Sequence, residues 1–308
     1  MTASWVAASV RARSMAHLRL GATRCRRLAA APDLATAVSL LEDTGYARRL
    51  AGVTDLATAQ RATYETLLWQ LRVLAGWLPP GGAGLVRALA AAFERDNIVM
   101  LARHLAGGPE PSGAYDLGAL ATAWPRLRDQ PSLSSLTDAL AHSAWGPTGP
   151  LDAVALRDVL TLAWLRRLVA AAPAATPWAR TAATLLAARM VLVDHVAPTT
   201  RVIQLARPWL GREWATAHDL SRLRAVLPRT SRTVLAGVRE PEDLWRPEAQ
   251  AKADVETDAL RLVRAALPGP DVVLGAVAVL AVDGWRVRAA LAAADAGTGS
   301  SEVLDAVA

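Results

Sequence analysis

Residues 93–108 read FERDNIVMLARHLAGG, and this stretch decides the fold. Phe93, Asn97, Ile98, Met100, Leu101 and Leu105 recur at three- and four-residue steps, so they share one face of a helix. Arg95, Asp96 and Arg103 point elsewhere. Gly107 and Gly108 then supply the left-handed stop that a helix C-terminus favours. A partial echo stands at 280–297, LAVDGWRVRAALAAADAG, where an acidic residue again leads an apolar-plus-arginine run to a glycine. Pairing Asp96 with Asp283 sets the two copies apart by about twice the spacing of the smaller units met along the chain. The chain reads as a helical unit used three times, each use closed by this helix.

Outward from that helix the pattern stays helical. No sustained alternation of apolar and polar residues marks a strand, and proline and glycine punctuate almost continuous helical periodicity. The expected fold is all-α. Ahead of residue 93, an amphipathic helix over 4–20 carries Trp5, Val6, Val10, Arg11 and Arg13. A short helix follows with Asp33 as N-cap, Leu34, Val38 and Leu41 on one face, and Gly45 as its end. A long helix from Thr54 or Asp55 to about Trp77 turns Tyr64, Leu67, Leu68, Leu71 and Leu74 inward. PPGGAG at 79–84 then bends the chain into the helix that stops at Gly107.

Beyond it, GGPEPSG at 107–113 is a boundary. The short helix recurs from Ser132, with Ser135 and Asp138 spaced as a capping box and Leu133, Leu136 and Leu140 as its face. Long helices over 152–171 and 177–196 follow, separated by PAATP at 173–177. A looser passage over 198–211 leads to a third short helix capped by Asp219. Helices over 241–267 and 271–294, joined by PGP at 268–270, complete the series. The short helices start at Asp33, Ser132 and Asp219, two steps of similar length. Near-equal spacing with a constant order of elements is a repeat signal. It divides the chain into helical units at 1–108, 109–197 and 198–296, with 297–308 as a flexible tail.

Composition narrows the function classes. A chain of 308 residues can bury roughly three quarters of its unfolded surface, so neither disulfide nor metal is required for stability. Hydrophobic content of 53% with 20% charged is globular. With 3 Tyr and 1 Phe, Ala, Leu and Val carry the core and the 11 Trp serve as bulky anchors. The net charge is +6, and Lys252 is the only lysine, so 33 of the 34 basic residues (34 − 1) are arginine. They are spread along the chain, with only Arg24, Arg26 and Arg27 tightly clustered, which is compatible with an acidic partner. No zinc motif, basic arm or aromatic-interleaved basic cluster points to nucleic acid. Cys25 is the single cysteine; its arginine neighbours would lower its pKa, but a structural thiol in a reducing compartment is the simpler expectation. No signal peptide is visible, and the longest apolar run, 272–282, falls short of the ~20 residues a spanning helix needs. A soluble protein is expected, meeting a membrane only through partners.

Catalytic chemistry is hard to find. PPGGAGLVRA and GPTGPLDA contain glycines but lack the lysine and hydroxyl of a phosphate loop, so they read as turns. His17, His104, His142, His195 and His218 form no i, i+4 pair, and Asp194 stands directly before His195. Asp254 and Asp258 share a helix face, read as solvated and paired with Arg261. No G-x-S-x-G elbow appears. The chain is therefore expected to be non-catalytic, without metal or cofactor.

Several stretches carry a family resemblance. They are WVAASVRARSMAHL at 5–18, LLEDTGYARRL at 40–50 with Tyr46, ERDNIVMLARHLAGG at 94–108 through Asp96, Asn97, Ile98 and Arg103, and 252–291. These resemble the C/d-type coupling subunits of V/A-type ATPases, the C-type of bacteria and archaea and the d-type of eukaryotes. The resemblance spans most of the chain. It departs in the last unit, where Gly284 or Trp285 stands in place of an asparagine, and its middle copy falls at 184–190 or at Val193–Asp194. It implies three similar helical bundles around a pseudo-three-fold axis, forming a funnel. The implied role is that of a non-catalytic central-stalk coupling piece at the cytoplasmic face of the membrane. Its implied partners are the proteolipid c-ring and the central-stalk proteins of the soluble head, serving ion transport without a direct membrane span. Arg48, Arg49, Arg103, Arg286 and Arg288 are the candidate partner contacts. The alternative is an all-α helical scaffold or regulator that binds protein or nucleic acid.

Overall fold

The computed structural model describes residues 3–111, 113–149 and 153–300 together with Leu304. Among these the chain is all-helical, with no strand. In order run α1 (Val6–His17), α2 (Gly21–Ala29), α3 (Leu34–Ser39), α4 (Ala47–Leu50), α5 (Leu56–Ala75), α6 (Ala83–Leu105), α7 (Trp124–Leu127) and α8 (Leu133–Ala141). Then follow α9 (Ala153–Ala171), α10 (Thr176–Leu192), α11 (Thr200–Leu210), α12 (Leu220–Val226), α13 (Arg229–Arg232), α14 (Trp245–Val263) and α15 (Pro270–Asp295). Turns and short 3-10 segments link them.

Local chemistry sets the helix starts. The side chains of Asp33, Asp55 and Asp219 each accept the backbone N–H three residues on, opening α3, α5 and α12. The box that opens α8 is Ser132 with Ser135, and not Ser135 with Asp138, because Ser132 already holds the extended backbone of an N-cap. At the other end of α6, Gly107 adopts φ +89 and its N–H donates to the His104 carbonyl. A β-carbon on Gly108 would stand 2.7 Å from the Arg103 carbonyl oxygen, so the expected double-glycine stop is enforced at both positions.

Three expectations are corrected. The passage over 198–211 is the helix α11: Thr199 caps it, and Val202, Leu205, Ala206, Trp209 and Leu210 bury one face. Pro208 lies in its last turn, where the missing amide costs a single ladder bond. The segment after Gly21 is also a separate helix, α2, with Cys25, Leu28 and Ala29 buried and Arg24, Arg26 and Arg27 exposed on the other side. Tryptophan is not uniformly an anchor. Trp145 and Trp214 are buried, whereas Trp69 and Trp77 are 42% and 50% exposed. Of the tail, 301–303 and 305–308 lie outside the described residues, as does Asp152; Leu304 is buried.

By contact the chain forms two compact units, Met1–Ala83 with Glu248–Ala308, and Gly84–Pro247. In the first, α15 is the centre, packed on α1, α2, α3 and α5. Eighteen of its 26 residues are buried, which is why its sequence is apolar on all sides instead of striped. A β-carbon on Gly275 would meet the Ala259 carbonyl oxygen at 2.6 Å, so glycine permits the close approach of α14. In the second unit, α9, α10 and α11 pack on one another, and α12 and α13 lie on α10. Trp145, Trp209 and Trp214 fill its core.

Candidate functional site

A buried carboxylate near the middle of a long helix organises each unit. In the second unit Glu94, on α6, is 1% exposed. Its Oε1 accepts the backbone N–H groups of Thr122, Ala123 and Trp124 at 2.7, 2.8 and 2.8 Å. Its Oε2 accepts the Thr122 hydroxyl and, at 3.0 Å, the Trp145 indole N–H. One acid thereby satisfies the orphan donors at the start of α7 and fixes a buried tryptophan. Arg167 lies over the Trp145 ring at 4.8 Å and donates to the Thr122 hydroxyl; burial pulls its pKa below the ordinary value, with Glu94 opposing.

In the first unit Asp283, on α15, does the same work. Its Oδ1 accepts Gly21 N–H at 2.8 Å, and its Oδ2 accepts Leu20 N–H at 3.0 Å and the Tyr46 hydroxyl at 2.8 Å. Both acids cap the start of a short helix and hold the hydrogen-bonding tip of a buried aromatic residue. Burial and the Asp283 charge push the Tyr46 hydroxyl well above its ordinary pKa. The same two causes raise the Cys25 thiol to about 12, so the neighbouring arginines do not activate it: they sit on the opposite face of α2.

This geometry corrects the pairing of Asp96 with Asp283. In the bonds it makes, Asp283 matches Glu94, two positions before Asp96 on α6. Asp96 instead forms an ion pair with Arg95 at 2.7 Å and is 40% exposed. The shift also aligns Asn97 with Arg286, each three positions past its acid. Asn97 makes a two-way bond with the backbone of Tyr115, at 3.0 and 2.7 Å. Arg286 meets Glu256 at 2.7 Å. The step from the turn proline Pro80 to Glu94, taken again from the turn proline Pro173, reaches Ala187, buried on α10. No carboxylate stands there, and Thr199 caps the next helix instead.

The candidate partner contacts fall in different settings. Arg286 is 2% exposed and is a structural group, removed from any partner by the all-round burial of α15. Arg288 is half-buried, 4.0 Å above the Tyr64 ring, and donates to Gln60. Reading the apolar residues around them as one stripe exposes both arginines, and α15 has no such stripe. Arg103 is exposed at the end of α6. It belongs to a basic group: burial first, then Arg189, Arg95 and Arg103, hold Arg157 below its ordinary pKa, against Asp158. Within that group Arg189 bonds the buried Asp158 at 2.7 Å and approaches Asp194 at 3.2 Å.

Arg48 and Arg49 are exposed beside an open groove of about 350 Å³. Arg11, Met15, Leu18, Gly45, Thr66, Trp69 and Gln70 complete its lining. α1 and α5 form its walls and the start of α4 its edge. Glu65 holds Arg49 at 3.1 Å and Arg61 at 3.0 Å. Of the groove's lining, Arg48 and Arg49 are among the sequence candidates and Arg11 and Trp69 are not; nor is the buried acid Glu94. A glutamate next to Phe93 and one turn before Asn97 on an apolar helix was a readable sign of the last. Among the described residues no three His, Cys, Asp or Glu side chains gather as a metal site, and no helix is long and apolar enough to cross a membrane. No protein-family model matches the chain, and no curated protein matches its sequence.

Proposed function

We propose that the chain is a non-catalytic coupling subunit of a rotary V/A-type ATPase, built from three related helical units. The observation that carries this reading is the recurrence of one device, a buried acid capping the next short helix and gripping an aromatic residue, at Glu94 and Asp283. Two copies of so specific an arrangement, far apart in the chain, favour duplication of a unit over an irregular helical domain. The middle copy at Ala187 has lost the acid and gained a local threonine cap. The packing of the last helix, α15, against α1 and α2 is what a cyclic set of three repeats requires of its ends. In this reading the units over 1–108, 109–197 and 198–296 surround a pseudo-three-fold axis, and the funnel they make carries torque from the central stalk to the proteolipid c-ring. Close-packed helices resist compression and so pass on strain. Of the five candidate arginines, Arg48, Arg49 and Arg103 are exposed and available to acidic stalk or ring surfaces, and such contacts weaken with salt.

The test is co-purification. Tagged chain, produced in its own cell, is expected to bring down head, stalk and proteolipid subunits from detergent-solubilised membranes, and an experimental structure should superpose the three units on one another. Recovery of the tagged chain free of every rotary-ATPase subunit would sink the proposal.

A further inference from the structure

The groove between α1, α4 and α5 has a chemistry of its own. Arg11, Arg48 and Arg49 line it together with Met15, Leu18 and Trp69, and among the described residues no carboxylate lines it. Arg49 is engaged by Glu65. Among the described residues Arg11 and Arg48 have no ion pair, and the Nε of Arg11 is shielded from water without an acceptor. A shielded donor without an acceptor is costly, and guanidinium forks match carboxylates in geometry as well as charge. Beside these cations stand apolar groups that the fold leaves open: Leu18 is 73% and Trp69 42% exposed, over a buried Met15.

We propose that this groove binds a peptide segment carrying paired carboxylates next to one large apolar side chain. The acids meet Arg11 and Arg48, and the apolar residue lies against Trp69 and Leu18. Charge complementarity selects the acids, and a volume of about 350 Å³ suits one anchoring side chain with its neighbours. Exposed tryptophan beside arginine is the composition that dominates binding energy at protein interfaces. A nucleic-acid strand would call for successive aromatic platforms, and among the described residues Trp69 is the one aromatic lining the groove. The inference is separate from the rotary reading and stands or falls apart from it.

The experiment is a selection of random peptides of roughly twelve residues on the full-length protein, followed by fluorescence anisotropy with the enriched peptides. The expected peptides carry Asp or Glu pairs within a few positions of Trp, Phe or Leu. The double variant R11Q/R48Q should lose about tenfold or more in affinity, and so should W69A, with circular dichroism showing both folded. The reversal R11E/R48E should turn the preference toward lysine-bearing versions of the same peptides, an outcome that a merely structural role cannot produce. Enrichment without acidic residues, or binding unchanged in folded R11Q/R48Q, overturns the proposal. So does binding confined to anionic lipid vesicles or to a DNA oligonucleotide. Peptide binding by a chain that brings down no rotary-ATPase protein keeps this inference and removes the other reading; the converse result does the reverse.

Discussion

Replacing Glu94 by glutamine tests the logic of the fold most directly. The wild-type carboxylate accepts three backbone N–H groups, a hydroxyl and an indole N–H. Glutamine keeps one acceptor oxygen and puts an NH2 group where the other stood. If the remaining oxygen keeps the three backbone donors, the Trp145 N–H faces another donor inside the core. An unmet buried donor costs about 1–3 kcal/mol, and the surviving bonds lose their charge assistance, which is roughly half their strength. The expected total is about 2–4 kcal/mol, a large share of the ~5–15 kcal/mol that holds a domain together. Asp96→Asn, two residues away, removes only a partly exposed pair with Arg95 and should cost about 0–1 kcal/mol. Urea titrations followed by circular dichroism measure both, and hydrogen exchange at the amides of 122–124 should quicken in the first variant alone. Adding Trp145→Phe to Glu94→Gln should cost less than Trp145→Phe does in the wild type, because the donor it removes is already unmet. Equal costs for the two acids, or a loss below about 0.5 kcal/mol for Glu94→Gln, would refute the reasoning.

Further outcomes follow from the same structure. Cys25 titrates near 9.0 when unfolded and near 12 when folded, so the folded chain holds the extra proton between those values. Stability should be level below pH 9 and fall as pH rises toward 12, by about 1.4 kcal/mol per pH unit for each such group. Tyr46 acts in the same direction, and Cys25→Ala should flatten part of the slope in urea titrations. Gly275→Ala drives a methyl into the Ala259 carbonyl and should lower stability by about 1–3 kcal/mol, read as a fall in thermal midpoint. Arg189→Met strips the buried Asp158 of its cation and should cost about 3–5 kcal/mol at neutral pH. Burial already raises the pKa of that acid against the pull of Arg189. The penalty should therefore shrink as pH falls and Asp158 takes up a proton, which titrations at several pH values would show.

That the chain is helical, and where most helices begin, is legible along the chain. Asp33, Asp55, Ser132 and Asp219 are local switches, each acting on the backbone three residues ahead, and such short-range chemistry is written in order along the chain. The sequence also picked out 93–108 and 280–297, the stretches that carry the buried acids Glu94 and Asp283. What it misjudged was Arg286, read as a partner contact: α15 is buried on nearly every side, and a one-stripe reading then assigns its faces wrongly. Asp96 faces away from the apolar side of α6, as its spacing indicates, but the buried acid on that helix is Glu94. Only tertiary structure decided that Glu94 meets residues 28 to 51 positions away and Asp283 meets residues 237 to 263 away. A hydrogen bond between distant residues leaves no periodicity. Its donors are ordinary backbone groups, and folding alone brings them within reach of the acid.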